Sequence, residues 1–350
     1  MIVLKILLMI ILLDPTISHD ARSRLGEALR NIGYKSNDVK TQFGQYVIGI
    51  GTRPFDIRSI GFLEGVQDIF RVKDPYKLVS RQWKVHDTTI DLGNNISIGT
   101  GHFNIMAGPC SVESEEQVAS TVSHLSDNGV RIMRGGVYKP RSSPYSFRGL
   151  GLEGLKMFHQ IASAREIKIV TEVMMVEQID PMYDFVDIFQ VGARNSQNFN
   201  LLDALGRVDK PVLLKRGISG TLDELLQAAE YIFSNGNERI LLCERGIRSY
   251  EPAYRNTMDV NAISILKDKT HLPVIADPSH GTGIRQFVEP IALACVMAGA
   301  DGVILEVHET PERAMSDGQQ TIDYDQAENL YRKLKETFIL RENFKRDIDA

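Results

Sequence analysis

The sequence predicts an α/β fold: a closed parallel (β/α)8 barrel, the TIM barrel, preceded by a small α+β domain of ferredoxin-like type. Three observations predict it. Eight short apolar runs each end in a polar, charged or metal-capable residue. Segments with helical apolar spacing, such as 115–125, 221–233 and 284–297, separate them. The chain has 350 residues, and a barrel needs only roughly 250, which leaves material for one appendage.

The elements follow in order. Residues 1–13 are apolar apart from Lys5. That run is too short to span a bilayer, and Asp14-Pro15 follows where a signal peptide needs small residues, so it is read as a long buried strand. Ala21, Leu25, Ala28 and Leu29 form a helical stripe over 18–31, closed by Gly33. A weak strand near 34–39, strands at 46–50 and 66–72 and a helix-like stretch at 55–63 complete a β-α-β-β-α-β pattern. The domain is expected over 1–75, closed by Asp74-Pro75. A polar linker over 76–100 holds the lone Trp83 and a hairpin from Ile90 to Ile98 turning at Gly93-Asn94-Asn95, placed to plug the barrel bottom.

The barrel is expected over 101–345. Its eight strands are read at 103–110, 131–134, 168–172, 187–194, 211–216, 240–245, 273–280 and 302–306. In such barrels the chemistry sits on the loops that follow the strands.

Composition narrows the function. A net charge of -5 and a pI near 5.9 argue against nucleic-acid binding, so clustered Lys and Arg must serve a smaller anion. Cys110, Cys243 and Cys295 show no pairing pattern, which fits a reducing, cytoplasmic setting. No membrane partner is expected.

Candidate metal ligands stand at strand ends: Cys110, His280, Glu306 and, in the following Ser-Asp-Gly, Asp317. One sulfur, one imidazole and two carboxylates suit a divalent first-row metal, but only the barrel would unite residues so far apart. The alternative is a buried thiol, a structural histidine and two surface carboxylates. The cations Arg134, Lys139, Arg141, Arg194, Lys215, Arg216, Arg245 and Arg248 fall at the same rim. Cations packed together repel unless an anion such as phosphate lies between them, or unless Glu113, Glu172 and Glu244 pair with them. The long loop over 134–151 is rich in Gly, Pro and Ser and is expected to be functional. His308, two residues past Glu306, reads as a supporting acid–base group or a structural residue, and His102, His124 and His159 as surface or packing residues. Cys243 and Cys295 read as inert core thiols.

Six motifs together closely resemble the 3-deoxy-D-arabino-heptulosonate-7-phosphate (DAHP) synthase family, in its type I-beta branch. They are Gly108-Pro109-Cys110-Ser111-Val112-Glu113, KPRSSPYSF from Lys139, Gly192-Ala193-Arg194-Asn195, Leu214-Lys215-Arg216-Gly217, Cys243-Glu244-Arg245-Gly246 and Asp277-Pro278-Ser279-His280. The resemblance spans about 75–334. It implies a transferase, 3-deoxy-7-phosphoheptulonate synthase, which condenses phosphoenolpyruvate with D-erythrose 4-phosphate in the first step of the shikimate pathway of aromatic amino acid biosynthesis. It implies Cys110, His280, Glu306 and Asp317 as ligands of a divalent cation (Mn2+, Fe2+, Zn2+ or Co2+). Arg134, Ala193, Arg194, Lys215 and Arg245 are implied around phosphoenolpyruvate, and Lys139, Pro140, Arg141 and Ser142 around the aldose phosphate. Lys139, Cys110 and His280 are the implied catalytic residues, with Lys139 as proton donor and either Glu172 or metal-bound solvent activating water. By the same resemblance the amino-terminal domain is regulatory, binding tyrosine or phenylalanine between neighbouring subunits of a homotetramer. Its long apolar first strand departs from the family's short strand and Gly-rich turn.

Two other readings compete. The related octulosonate 8-phosphate synthases use arabinose 5-phosphate and usually carry Ala-Asn-Arg-Ser-Ser after the loop lysine. Pro140-Arg141-Ser142-Ser143 here favours the four-carbon sugar. A non-catalytic sensor of phosphorylated metabolites would have no need of an open metal site.

Overall fold

The computed structural model describes residues 7–139 and 145–349. The first sheet comprises β1 (Leu7–Leu13), β2 (Lys35–Lys40), β3 (Gln45–Gly51) and β4 (Val66–Arg71), in the order β2-β3-β1-β4 with antiparallel neighbours. This is the split β-α-β arrangement expected from the sequence. The helix His19–Asn31 starts where the Ser18 hydroxyl accepts from Ala21 N at 3.1 Å.

Strand β1 is apolar throughout because both its faces are covered. Met9, Ile11 and Leu13 pack with Leu25, Leu29 and Ile60 of the helices, whereas Ile10 joins the core shared with the barrel. The sheet docks on the barrel through Tyr46, whose ring meets Trp83 at 5.3 Å and Phe233 at 6.3 Å edge-on, and whose hydroxyl donates to Glu238 at 2.8 Å. The expected helix at 55–63 is reduced to Arg58–Gly61. Asp56 draws the chain into a turn instead, since its carboxylate accepts from Arg58 N at 3.0 Å and its carbonyl from the Ser59 hydroxyl at 2.6 Å.

The hairpin of β5 (Ile90–Asp91) and β6 (Ser97–Ile98) turns where expected, with Gly93, Asn94 and Asn95 at φ 77°, 52° and 59°. Parallel strands β7 (Asn104–Gly108), β8 (Ile132–Arg134), β9 (Lys168–Glu172), β10 (Ile188–Val191), β11 (Val212–Lys215), β12 (Ile240–Glu244), β13 (Val274–Ala276) and β14 (Gly302–Glu306) close the barrel by pairing β14 with β7. Several strands are shorter than their apolar runs. The run over 273–280 stops at Ala276, because Asp277 accepts from His280 N at 3.1 Å and starts the helical turn Pro278–Thr282. Likewise 187–194 stops at Val191, before the turn Ala193–Asn195. Among the described residues no helix is long and apolar enough to cross a membrane.

The barrel interior is built in layers, and these position the site. Ile90, Leu92, Ile96 and Ile98 of the hairpin close it from below against Met106, Ile132, Val170, Ile188, Leu213, Leu241, Ile275 and Ile304. Strand side chains alternate, so positions two residues on face the same interior nearer the mouth. Those positions hold Gly108, Arg134, Glu172, Gln190, Lys215, Cys243, Asp277 and Glu306. An apolar floor thus carries a largely polar layer.

The linker contributes a pH-sensitive joint. Buried His271 accepts at Nδ1 from the Thr88 hydroxyl at 2.7 Å and donates from Nε2 to Leu78 O at 2.8 Å, so it is held neutral. Burial, aided by Lys84, drives its pKa down to about 3. The unfolded chain takes up this proton near the ordinary value of about 6.5, whereas the folded one does not. Stability from this group is therefore complete above pH about 6.5 and is lost toward pH about 3, by up to about 1.4 kcal/mol per pH unit. Melting temperatures across that range should fall less steeply for His271→Gln than for the wild type, and equal slopes would contradict this.

Candidate active site

The mouth of the barrel joins a set of metal-capable donors to a cationic cleft. The first donor depends on a close crossing of β7 and β8. Gly108 has φ 150°, and a Cβ there would lie 2.2 Å from Arg134 O, so only glycine lets the chain pass. Beyond it, Gly136 N donates to Cys110 O at 3.2 Å and Val112 N to Gly136 O at 3.0 Å. Lys139 is drawn over the thiol, with Nζ 3.0 Å from Cys110 Sγ and 2.9 Å from Cys110 O. Glu113 ties this loop to another, accepting from the Ser111 hydroxyl and from Met315 N, both at 2.9 Å. Glu113 therefore supports the segment leading to Asp317 instead of pairing with the rim cations. His308 Nε2 stands 3.9 Å from it.

Cys110, His280, Glu306 and Asp317 each present one donor atom, all within 4.8 Å of one another. Cys110 Sγ lies 3.1 Å from Asp317 Oδ2, and His280 Nε2 lies 3.3 Å from Glu306 Oε1. Donors bonded to one first-row ion at about 2.0–2.3 Å stand about 3–4 Å apart, so the four side chains fit a common ion. His280 Nδ1 sits 2.9 and 3.1 Å from the two oxygens of Asp277, leaving Nε2 turned inward for a cation. The same carboxylate accepts from Lys215 Nζ at 2.6 Å.

Burial and charge compete across this group. Burial, with Glu306 beside it, pushes the Cys110 thiol up to about 12. Burial also opposes ionisation of Asp317, but His280 and Arg255 outweigh it and hold that carboxyl at about 2. Glu306 and Asp277 are likewise kept ionised against their burial, chiefly by His280, with Arg134 aiding Glu306 and Lys215 aiding Asp277.

Beside the ligand set runs a cleft lined by Arg134, Lys139, Arg194, Lys215, Arg245, Arg248 and Arg255, with Glu172, Gln190, Gly192, Ala193 and Asn256 among them. Among the described residues Arg194, Arg245 and Arg248 make no ion pair, and the buried Arg134 Nε has no hydrogen-bond partner. Unneutralised guanidinium groups facing one cleft form a receptor for a multiply charged anion. Arg216 does not take part, since its Nη1 is spent on Glu244 at 2.8 Å and Asp259 at 3.0 Å. Glu172 is brought in by Gly192, where a Cβ would lie 2.1 Å from Glu172 Oε1. Pro140, Arg141 and Ser142 lie outside the described residues.

Cys243 and Cys295 are fully buried. His124 stacks on Tyr324 at 4.1 Å and His159 meets Phe185 at 5.5 Å, as packing residues do. From sequence, no role attached to Gln190, to Asp277 beyond its place in a motif, or to Arg255, Asn256 and Gln320. The first two carried a usable signal, two positions beyond the interior residues Ile188 and Ile275. The others lie on irregular loops, where spacing gives no direction.

Comparison with known proteins agrees with this geometry. Residues 87–343 match the model of the DAHP synthetase I family. The phospho-2-dehydro-3-deoxyheptonate aldolase of Thermotoga maritima is 48% identical over 273 residues, 78% of this chain and 80% of that protein. A 2-dehydro-3-deoxyphosphooctonate aldolase of Geobacter sulfurreducens is 32% identical over 252 residues, covering 66% of this chain and 90% of that one. The crystal structure of the Thermotoga maritima DAHP synthase matches with a TM-score of 0.75 at 43% identity, over 94% of this chain and 97% of that one. A truncated form of the enzyme matches with a TM-score of 0.70 at 44% identity, over 75% and 95% of the two chains. With a barrel mouth that gathers four metal-capable donors beside an anion cleft, and with a match across most of its length, the chain belongs to the DAHP synthetase I family.

Proposed function

We propose that the protein condenses phosphoenolpyruvate with D-erythrose 4-phosphate and water to give DAHP and inorganic phosphate, and that it does so with a divalent cation. The observation that carries this reading is the adjacency of the two halves of the mouth, since Lys139, Arg134 and His280 border both the ligand set and the cationic cleft. A cation held by Cys110, His280, Glu306 and Asp317 would supply Lewis-acid polarisation of the aldehyde oxygen.

The chain's own residues do the rest. Arg134, Arg194, Lys215 and Arg245, with the turn at Ala193, hold the phosphate and carboxylate of phosphoenolpyruvate. They set its C3 against the aldehyde carbon, and Lys139, Pro140, Arg141 and Ser142 take the sugar phosphate. As the C3–C1 bond forms, electrons leave the enol double bond and C2 becomes cationic. Lys139 gives a proton to the hydroxyl that forms from the aldehyde. Water then adds at C2, with Glu172, at the cleft wall, as its base. The hemiketal phosphate collapses by C–O cleavage, releasing inorganic phosphate. Identity to the heptonate enzyme exceeds that to the octonate enzyme, which supports the four-carbon sugar over arabinose 5-phosphate.

Phosphate release measured with each sugar, before and after chelation, tests this. We expect release with erythrose 4-phosphate alone, abolished by chelator and restored by added metal. Equal turnover with arabinose 5-phosphate, or indifference to chelation, would contradict it.

The same reading assigns the amino-terminal domain to feedback inhibition by tyrosine or phenylalanine within a homotetramer. Its sheet is covered by its own helices on one face and the barrel on the other, so an effector has the sheet edges and helix surfaces available. Titrating both amino acids against activity of the whole chain should lower it, and no response would remove this assignment.

A further inference from the structure

The two carboxylates of the ligand set differ from ordinary paired acids in how their outer oxygens are held. Glu306 directs Oε1 at His280, where it also accepts from Arg134 Nη1 at 2.9 Å with one lone pair left for a cation, and its Oε2 accepts from Gln320 Nε2 at 2.7 Å. Asp317 directs Oδ2 at Cys110, and its Oδ1 accepts from Arg255 Nη1 at 3.3 Å. The same Arg255 Nη1 donates to Gln320 Oε1 at 3.2 Å. A continuous path therefore runs from one carboxylate through an amide and a guanidinium to the other.

The amide can face only one way. Reversed, its NH2 would oppose the guanidinium and its oxygen would oppose the Glu306 carboxylate, giving two repulsive contacts in place of two hydrogen bonds. Gln320 is buried at 3% exposure, so solvent does not offer it alternatives. Arg255 is fixed from behind. Its backbone N donates to Thr282 O at 3.0 Å, and its side-chain stem crosses Gly283 so closely that a Cβ there would lie 2.4 Å from Arg255 Cβ. Gly283 has φ 70°, which also favours glycine.

We propose that Gln320 and Arg255 form a bracket that holds each carboxylate by its outer oxygen, reserving one oxygen of each for the cation. They are positioning residues: they touch the ligands, not the reacting atoms. The bracket rests on the reading of Cys110, His280, Glu306 and Asp317 as the ligand set. Its effect is to keep both acids monodentate, and a monodentate set leaves more of the ion's coordination sphere open to substrate. Arg255 also sets positive charge against a site that carries a thiol and two acids.

Cobalt(II) titration of the metal-free, full-length protein tests this without reference to turnover. The thiolate-to-cobalt charge-transfer band reports Cys110, and the ligand-field bands report coordination number. Gln320→Leu and Arg255→Met should each weaken cobalt binding roughly 10–100-fold and alter the ligand-field bands while keeping the charge-transfer band. Arg255→Lys, which keeps the charge and one donor, should recover part of the affinity. Arg255 is partly exposed, so its variants stay folded even where a Gln320 variant does not. Wild-type affinity and spectra in Arg255→Met would overturn the bracket. Unchanged binding with slowed turnover would also overturn it, making Arg255 a substrate contact. A wild-type protein that shows no charge-transfer band, or one that Cys110→Ala leaves intact, would instead bring down the ligand set itself.

Discussion

Cys110→Ala is expected to lower turnover on the order of a thousandfold or more while leaving phosphoenolpyruvate affinity within a few-fold of wild type. The sulfur is one of four donors, and loss of Lewis-acid stabilisation worth several kcal/mol costs about tenfold in rate per 1.4 kcal/mol. The phosphoenolpyruvate contacts do not depend on it, because Arg134, Arg194, Lys215 and Arg245 make no hydrogen bond or ion pair with Cys110 among the described residues; the cleft residue that does is Lys139, assigned to the sugar phosphate. Nor should the fold fail. Cys110 is 3% exposed, and exchanging a small buried thiol for a methyl group removes little volume. Phosphate-release kinetics together with calorimetric titration of phosphoenolpyruvate separate the two effects. Surviving turnover, or loss of phosphoenolpyruvate binding in step with activity, would remove the thiol from its assigned place.

Asp277→Asn should weaken both halves of the site together. Its carboxylate fixes the ring of His280 and pairs with Lys215, so it couples the ligand set to the anion cleft. Asparagine retains a side-chain acceptor for His280 N and keeps the helical turn capped, but it removes the charge. We expect metal affinity to fall roughly 10–100-fold through the freed imidazole. We also expect KM for phosphoenolpyruvate to rise, because Lys215 loses its anchor. Removing one partner of a buried pair costs about 3–5 kcal/mol, and Asp277 and Lys215 are 1% and 5% exposed in their side chains, so the melting temperature should drop as well. Lys215→Met provides the contrast: it should raise KM for phosphoenolpyruvate and leave metal binding nearly unchanged. If Asp277→Asn altered one function and spared the other, the carboxylate would not couple them.

The sequence was legible where a local pattern has a direct structural cause. Runs that stop at Glu172 and Glu306 coincide with strands because interior residues there are apolar until the barrel opens. The donors at Cys110 and His280 stood out because each closes such a run. Residues 1–13 read as a strand because a strand covered on both faces has no polar side; 7–13 form it, and 1–6 lie outside the described residues. Other features depended on contacts that sequence distance hides. Asp277 looked like part of a run until its capping bond showed where β13 ends. The stretch 55–63 carried helical spacing, yet Asp56 offered the backbone a competing turn. Arg216 belonged to the same rim as Lys215, but adjacent strand-end residues face opposite ways, and it turned to Glu244 and Asp259. Arg255 and Gln320 sit on loops of no regular period, 65 residues apart in the chain, and their contact exists only in the fold.

X-ray absorption at the edge of the bound metal tests the central claim most directly, because it counts donors around the ion whatever the turnover. For protein loaded with one equivalent, the account predicts one sulfur near 2.3 Å among nitrogen and oxygen donors near 2.0–2.2 Å, with the sulfur lost in Cys110→Ala. A shell of oxygen and nitrogen alone in the wild type, unchanged by that substitution, would contradict it.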